Sequence, residues 1–258
     1  MTAVETDKHT TGTDTDAAAT VLLIGTGDPI TTLETALGRT DVLEVQTAET
    51  VETAPIGSPA VESVVCVAPE SPATALEVLS GVRRQESTLP VVCYTAPQSE
   101  ALFDAVLEDD WAIQHRPGER DGDRLAARIR RLIDHHRQRT LTRNVLTAFE
   151  AVGDGIALVD PDGTVIAVNT NYVRQFAVAR EELLGSHWGL PYPDDEVRRL
   201  EETALTVAAA GWRWKGTCIG RRGDTTFTSG VSVIGLEDGG FALLLEGDSS
   251  NRVPDNIR

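Results

Sequence analysis

Lysine is nearly missing from this chain: Lys8 and Lys215 are the two in 258 residues, and arginine supplies the rest of the 23 basic side chains. Against these stand 40 acidic residues, for a net charge of −17. Such a charge repels phosphate backbones and anionic headgroups at long range, which argues against direct nucleic-acid binding and against a membrane-surface role. No run of about 18 or more apolar residues occurs, and no basic stretch leading into an apolar core opens the sequence, so neither a membrane span nor a secretory signal is read. The expected setting is cytoplasmic. Cysteine is scarce too: Cys66, Cys93 and Cys218 lack the paired spacings of a zinc site or a disulfide framework, and each lies in an apolar run. All three are expected as small buried hydrophobes, and no metal site is expected.

Acid and threonine are abundant. A carboxylate-rich, lysine-poor composition resembles that of proteins from salt-loving archaea, whose concentrated cytosol screens self-repulsion to a few ångströms. The alternative is an acidic cytosolic protein of an ordinary cell. A hydrophobic content of 41% gives a chain of this length enough apolar surface for two cores.

Residues 1–19 hold almost nothing to bury and read as a disordered acidic leader. Apolar runs at Val21–Ile24, Val42–Gln46, Val61–Val67, Pro90–Tyr94 and Trp111–Gln114 then alternate with helical patterns at 30–38, Thr74–Arg84, Ser99–Leu107 and Arg124–His135. Strands without period-2 alternation, separated by helices, predict a doubly wound α/β domain over 20–135 with a five-stranded parallel sheet. The polar text "DHHRQRTLTR" breaks the last apolar stripe and marks a linker or helix over 136–145. An α+β domain is expected over 146–248, with a helix at Asn144–Glu150, strands at Ile156–Asp160 and Thr164–Val168 around the turn Pro161-Asp-Gly163, short helices over 171–209, and three closing strands near 213–220, 225–235 and 240–246. Asp-Gly between two apolar runs is a strong hairpin signal. Residues 249–258 read as a tail.

The first domain resembles a response-regulator receiver, through "VAPESPATALEVLSGVRR", "LPVVCYTA" and "WAIQHRPGERDGDRLAARIRRLID". The resemblance implies a magnesium site beside an acidic pair, an aspartate phospho-acceptor ending the third strand, a hydroxyl on the fourth and a lysine on the fifth. Here the acidic-pair region reads Gly25, Thr26, Gly27, Asp28; the acceptor position is Val67; the hydroxyl is Thr95; and the lysine position falls on His115, or on Arg116 with a one-residue slip. Valine forms no acyl phosphate, so the expectation is a receiver scaffold without phosphotransfer. Asp28 and Glu70 are the remaining carboxylates that a genuine phospho-accepting regulator would have to use. Gly25-Thr-Gly27 lacks the third glycine and the Lys-Ser/Thr pair of a nucleotide loop.

The second domain is similar to PAS domains, through "AFEAVGDGIALVDPDGTVIAVNTNYVRQFAVAREELLGSHW", "WKGTCIGRRGDTTF" and "GGFALLLEGD". The resemblance implies a five-stranded antiparallel sheet around an interior that in some members holds haem, flavin or a metabolite. Phe176, Trp188, Trp214 and Phe227 are the candidate lining of that pocket, and Trp212 is a further aromatic. Cys218 lies in a strand rather than in the helical segment a flavin-reactive thiol needs, and His187 is the single histidine of this half. No cofactor is therefore expected, with a haem or flavin sensor as the alternative. His135 and His136 are adjacent on a helix and cannot chelate one ion together.

Together these features point to a non-catalytic signal-transduction protein of the two-component type, partnered by a histidine kinase or another signalling protein. The PAS resemblance implies either a homodimer through the helix bearing Val145, Leu146 and Phe149 or the packing of these three onto their own sheet. A surface of charge −17 predicts a melting temperature that rises from dilute buffer to molar potassium chloride. Thermal melts followed by circular dichroism test this, and a flat or falling trend would remove the high-salt assignment.

Overall fold

A computed structural model of the chain describes residues 18–118 and 121–247. The expected tail, and the expected leader up to residue 17, lie outside the described residues. Ala19, assigned to the leader from composition, is the first residue of a buried strand. The chain divides into two units between Leu141 and Thr142.

The first unit contains β1 (Ala19–Ile24), α1 (Asp28–Leu37), β2 (Leu43–Ala48), β3 (Val61–Val67), α2 (Pro72–Gln85), β4 (Val91–Tyr94), α3 (Glu100–Leu107), β5 (Ala112–His115) and the first part of α4 (Asp121–Ala151). The strands form one parallel sheet in the order β2-β1-β3-β4-β5. Its two faces are both apolar, which is why the inner strands read as unbroken hydrophobic runs. Leu22, Val64, Cys66 and Cys93 pack against Leu79 and Val82 of α2 and Leu102 of α3. Leu23, Val65, Val67 and Tyr94 pack against Leu33 and Leu37 of α1 and Leu125, Ile129 and Ile133 of α4. Ser71 and Ser99 cap α2 and α3 by accepting hydrogen bonds from the amides of Thr74 (3.2 Å) and Leu102 (3.4 Å).

Helix α4 joins the helical stretches read from sequence at 124–135 and 144–150 through the segment read as linker or helix. It continues without a break to Ala151. The segment from Arg124 to Ala151 contains neither glycine nor proline, so nothing stops the helix when its apolar stripe ends. Loss of the stripe marks the end of burial instead: past Ile133 the helix is tied by polar contacts, with Arg137 forked onto the Glu62 carboxylate at 2.7 Å for both bonds.

The second unit comprises β6 (Gly155–Val159), β7 (Val165–Val168), α5 (Thr170–Phe176), α6 (Arg180–Leu183), α7 (Asp194–Leu200), a π-helical turn (Glu201–Leu205), α8 (Thr206–Ala209), β8 (Trp214–Arg222), β9 (Thr225–Gly235) and β10 (Phe241–Leu245). Its sheet is antiparallel, in the order β7-β6-β10-β9-β8. The β6–β7 hairpin closes as the Asp-Gly signal requires: Asp160 Oδ1 accepts from the amides of Asp162 (3.0 Å) and Thr164 (2.8 Å), and Gly163 takes φ 83°. Asn169, fully buried at the end of β7, accepts from the amides of Ile156 (2.8 Å) and Tyr172 (2.9 Å) and donates to the carbonyls of Phe149 (3.0 Å) and Asp154 (2.8 Å).

Candidate functional site

In an open parallel sheet, ligands and chemistry gather beyond the carboxyl ends of the strands, where the strand order reverses. In the first unit that place lies between β1 and β3. Gly25 follows β1 and donates its amide to Ala48 at 3.1 Å. A Cβ built on it would lie 2.7 Å from the Val67 carbonyl oxygen, so position 25 has no room for a carboxylate without displacing the end of β3. Thr26 is exposed, as are Asp28 at the start of α1 and Glu70 in the loop after β3. Val67 ends β3 buried in the apolar cluster that α1 and α4 cover. Thr95 is fully buried and its hydroxyl has no partner among the described residues.

His115 turns away to a different task. Its ring stacks on Tyr94 with centroids 5.9 Å apart and planes within 9°. Nδ1 faces the Arg128 guanidinium at 3.2 Å. A guanidinium only donates, so Nδ1 accepts and Nε2–H donates to Asp121 Oδ1 at 2.6 Å. Burial, reinforced by the Asp121 carboxylate, pushes the Tyr94 phenol up to about 12. The sequence reading singled out His115 but neither Asp121 nor Arg128, which come from the next helix and carry no motif. Among the described residues no group of three His, Cys, Asp or Glu side chains could hold a metal ion. Magnesium and an acyl phosphate therefore do not fit this crevice: its centre is a buried valine, and its acids are exposed at the periphery.

Of the aromatic side chains read as a candidate pocket lining in the second unit, Phe176 and Phe227 pack on each other, while Trp188 and Trp214 meet other side chains. Phe176 is fully buried, with ring centroids 5.3 Å from Phe227 and 5.1 Å from Tyr192. Trp188 lies 5.8 Å from Tyr192 and 5.9 Å from Phe241. Trp214 is half-buried, with the Arg199 guanidinium 5.9 Å from its ring centre. Trp212 is exposed outside this cluster. Tyr172 and Tyr192, which the sequence reading passed over, occupy the centre, with hydroxyls 3.3 Å apart. The available signal was Tyr172 four residues before Phe176, on one helical face. Burial drives both phenols well above their ordinary range.

Cys218 sits in β8 within the same cluster, its thiol pushed up to about 12 by burial. It is thus a packed hydrophobe rather than a poised nucleophile. His187 is exposed, and its Nδ1 accepts from the Gly189 amide at 3.1 Å. Lying outside the packed interior, it does not fit as an axial ligand for haem held there. Glu196, also missed, is buried and accepts from Arg199 Nε (2.9 Å), Arg199 Nη2 (2.6 Å) and the Ile219 amide (3.1 Å). The forked Arg199 contact holds its carboxyl below the usual range.

Residues 149–221 match the sequence model of the family described as PAS fold. The second unit has the PAS fold. Among solved structures, the chain is similar to the PAS domain of a protein from Colwellia psychrerythraea, at 14% identity over 43% of this chain and 98% of that one, with a TM-score of 0.39. It is also similar to the PAS domain of an HTR-like protein from Haloarcula marismortui, at 21% identity over 43% of this chain and 94% of that one, TM-score 0.35. A Rhodobacter sphaeroides LOV protein matches at 18% identity over 41% of this chain and 67% of that one, TM-score 0.36. No curated protein matches the chain.

Incubation with acetyl phosphate and magnesium is expected to leave the intact mass of the protein unchanged, because Val67 occupies the acceptor position. An added phosphate that is stable in acid, labile in base and lost in Asp28→Ala would overturn this.

Proposed function

We propose that the protein is a non-catalytic signal-transduction protein, in which a PAS unit does the sensing and a receiver-like unit serves as a docking platform. The observation that carries this reading is the Gly25–Val67 contact. It leaves position 25 no room for a carboxylate and sets a valine at the end of β3, within a doubly wound scaffold whose α1 and α2 flank the crevice. A scaffold held intact around missing chemistry still presents its helices and loops to other proteins. Histidine kinases and other signalling proteins are the partner class this implies, in the cytoplasm of a high-salt cell as the acidic, lysine-poor composition indicates. No helix among the described residues is long and apolar enough to cross a membrane.

Self-association is the second element of the proposal. Leu141, Val145 and Leu146 on the later turns of α4 are 64%, 57% and 57% exposed, while Phe149 is half-buried. Leu141, Val145 and Ala148 of α4 recur at intervals of four and three, all exposed. That is the a/d spacing through which two helices pack together. Side chains so exposed are not packed onto their own sheet, which favours a second chain as the cover. In a cyclic dimer one substitution strikes the contact twice.

Light scattering on the full chain at high micromolar concentration in molar potassium chloride is expected to give the mass of two chains, and Val145→Glu the mass of one. A monomer before any substitution would sink the dimer.

A further inference from the structure

In a chain of net charge −17, one surface of the first unit reverses the sign. Arg124, Arg128 and Arg131 project from α4 at i, i+4 and i+7, all exposed, and Arg116 follows β5 beside them. Arg83, Arg137 and Arg139 of the same unit are each engaged with a carboxylate. By contrast, Arg116, Arg124 and Arg131 form no ion pair or hydrogen bond among the described residues, and Arg128 contacts only His115. The side chains border two grooves, of about 600 Å³ and 860 Å³, which share Ala127 and Arg128 and so run into one another. The apolar part of the lining is Ile113, Ala127 and Leu132. Its acids are Asp121, already engaged by His115 Nε2–H, and Asp134 at the far end. From Arg124 to His135 the helix rises roughly 16 Å at about 1.5 Å per residue, the length of a short peptide rather than of a single small anion.

We infer that this trough is the docking site for an acidic segment of a partner protein, with carboxylates on the arginines and small apolar side chains on the floor. The inference rests on the docking role proposed above and names its surface and chemistry. Forked arginine–carboxylate bonds at about 2.7–2.9 Å lie within the screening length of about 3 Å in molar salt, so the contact survives conditions that erase longer-range attraction.

The test is fluorescence anisotropy on the full chain in molar potassium chloride. The probe is a labelled 12-residue peptide of Glu, Leu and Ala, and the control is its counterpart with Lys for every Glu. The Glu peptide is expected to bind and the Lys peptide not to. Arg124→Glu combined with Arg131→Glu should weaken binding at least tenfold with the melting temperature unchanged, since neither side chain has a partner to lose. Absence of Glu-peptide binding at millimolar protein, equal binding of the Lys peptide, or indifference to the double substitution would each overturn the inference. So would light scattering in which the double substitution splits a dimer into monomers, because a second copy of the chain would then be the occupant. Failure here with an unchanged acetyl phosphate result would leave the non-catalytic reading intact, whereas phosphorylation would remove that reading whatever the peptide does.

Discussion

The PAS unit depends on the side-chain amide of Asn169. Its oxygen takes the amides that begin β6 and α5, and its nitrogen holds two carbonyls, one of Phe149 in the last turns of α4 and one of Asp154 ahead of β6. Four backbone groups are thereby satisfied inside a core where each would otherwise cost about 1–3 kcal/mol. No other residue type offers two donors and two acceptors on so short a stem. With that junction set, the hairpin β6–β7 fixes the direction of the sheet, α5 is capped, and Tyr172 and Phe176 are carried into the centre.

The first unit is governed by a different constraint, the demand that both faces of a parallel sheet be covered. Helix α4 meets it with Leu125, Ile129 and Ile133. Covering that face also buries Val67 and Tyr94, and an ionised aspartate at position 67 would have to be accommodated among the same aliphatic side chains at a desolvation cost. The apolar packing that stabilises this face thus also disfavours a charged side chain at position 67. His115 then becomes a structural group, clasped by Asp121 and Arg128 of α4, and the arginines left over on that helix define the unit's exposed basic face.

Much of this was legible in the sequence because it is local. Unbroken apolar runs such as Val61–Val67 signal a strand buried on both faces, and the Asp162-Gly163 pair sets a hairpin. What was missed depends on distance in the chain. Periodicity left residues 136–145 open between linker and helix, because it reports burial and a solvated helix has none to report. The Tyr172–Tyr192 pair, the Glu196–Arg199–Ile219 contact and the Asp121–His115–Arg128 cluster each join separate elements, and a short polar side chain in a strand or helix carries no mark of the partner it will meet. Phe176 and Trp188 are buried, and pattern alone did not tell a lining from a filling.

Helix α4 runs from the first unit into the second through a polar middle. Amide hydrogen exchange of the full chain, resolved by peptide or residue across α4, tests this directly. The account predicts slow exchange running without interruption from Ile129 through residues 136–143 to Phe149. Rapid exchange confined to residues 136–143, between protected flanks, would mean two helices with a loose connector and would contradict it.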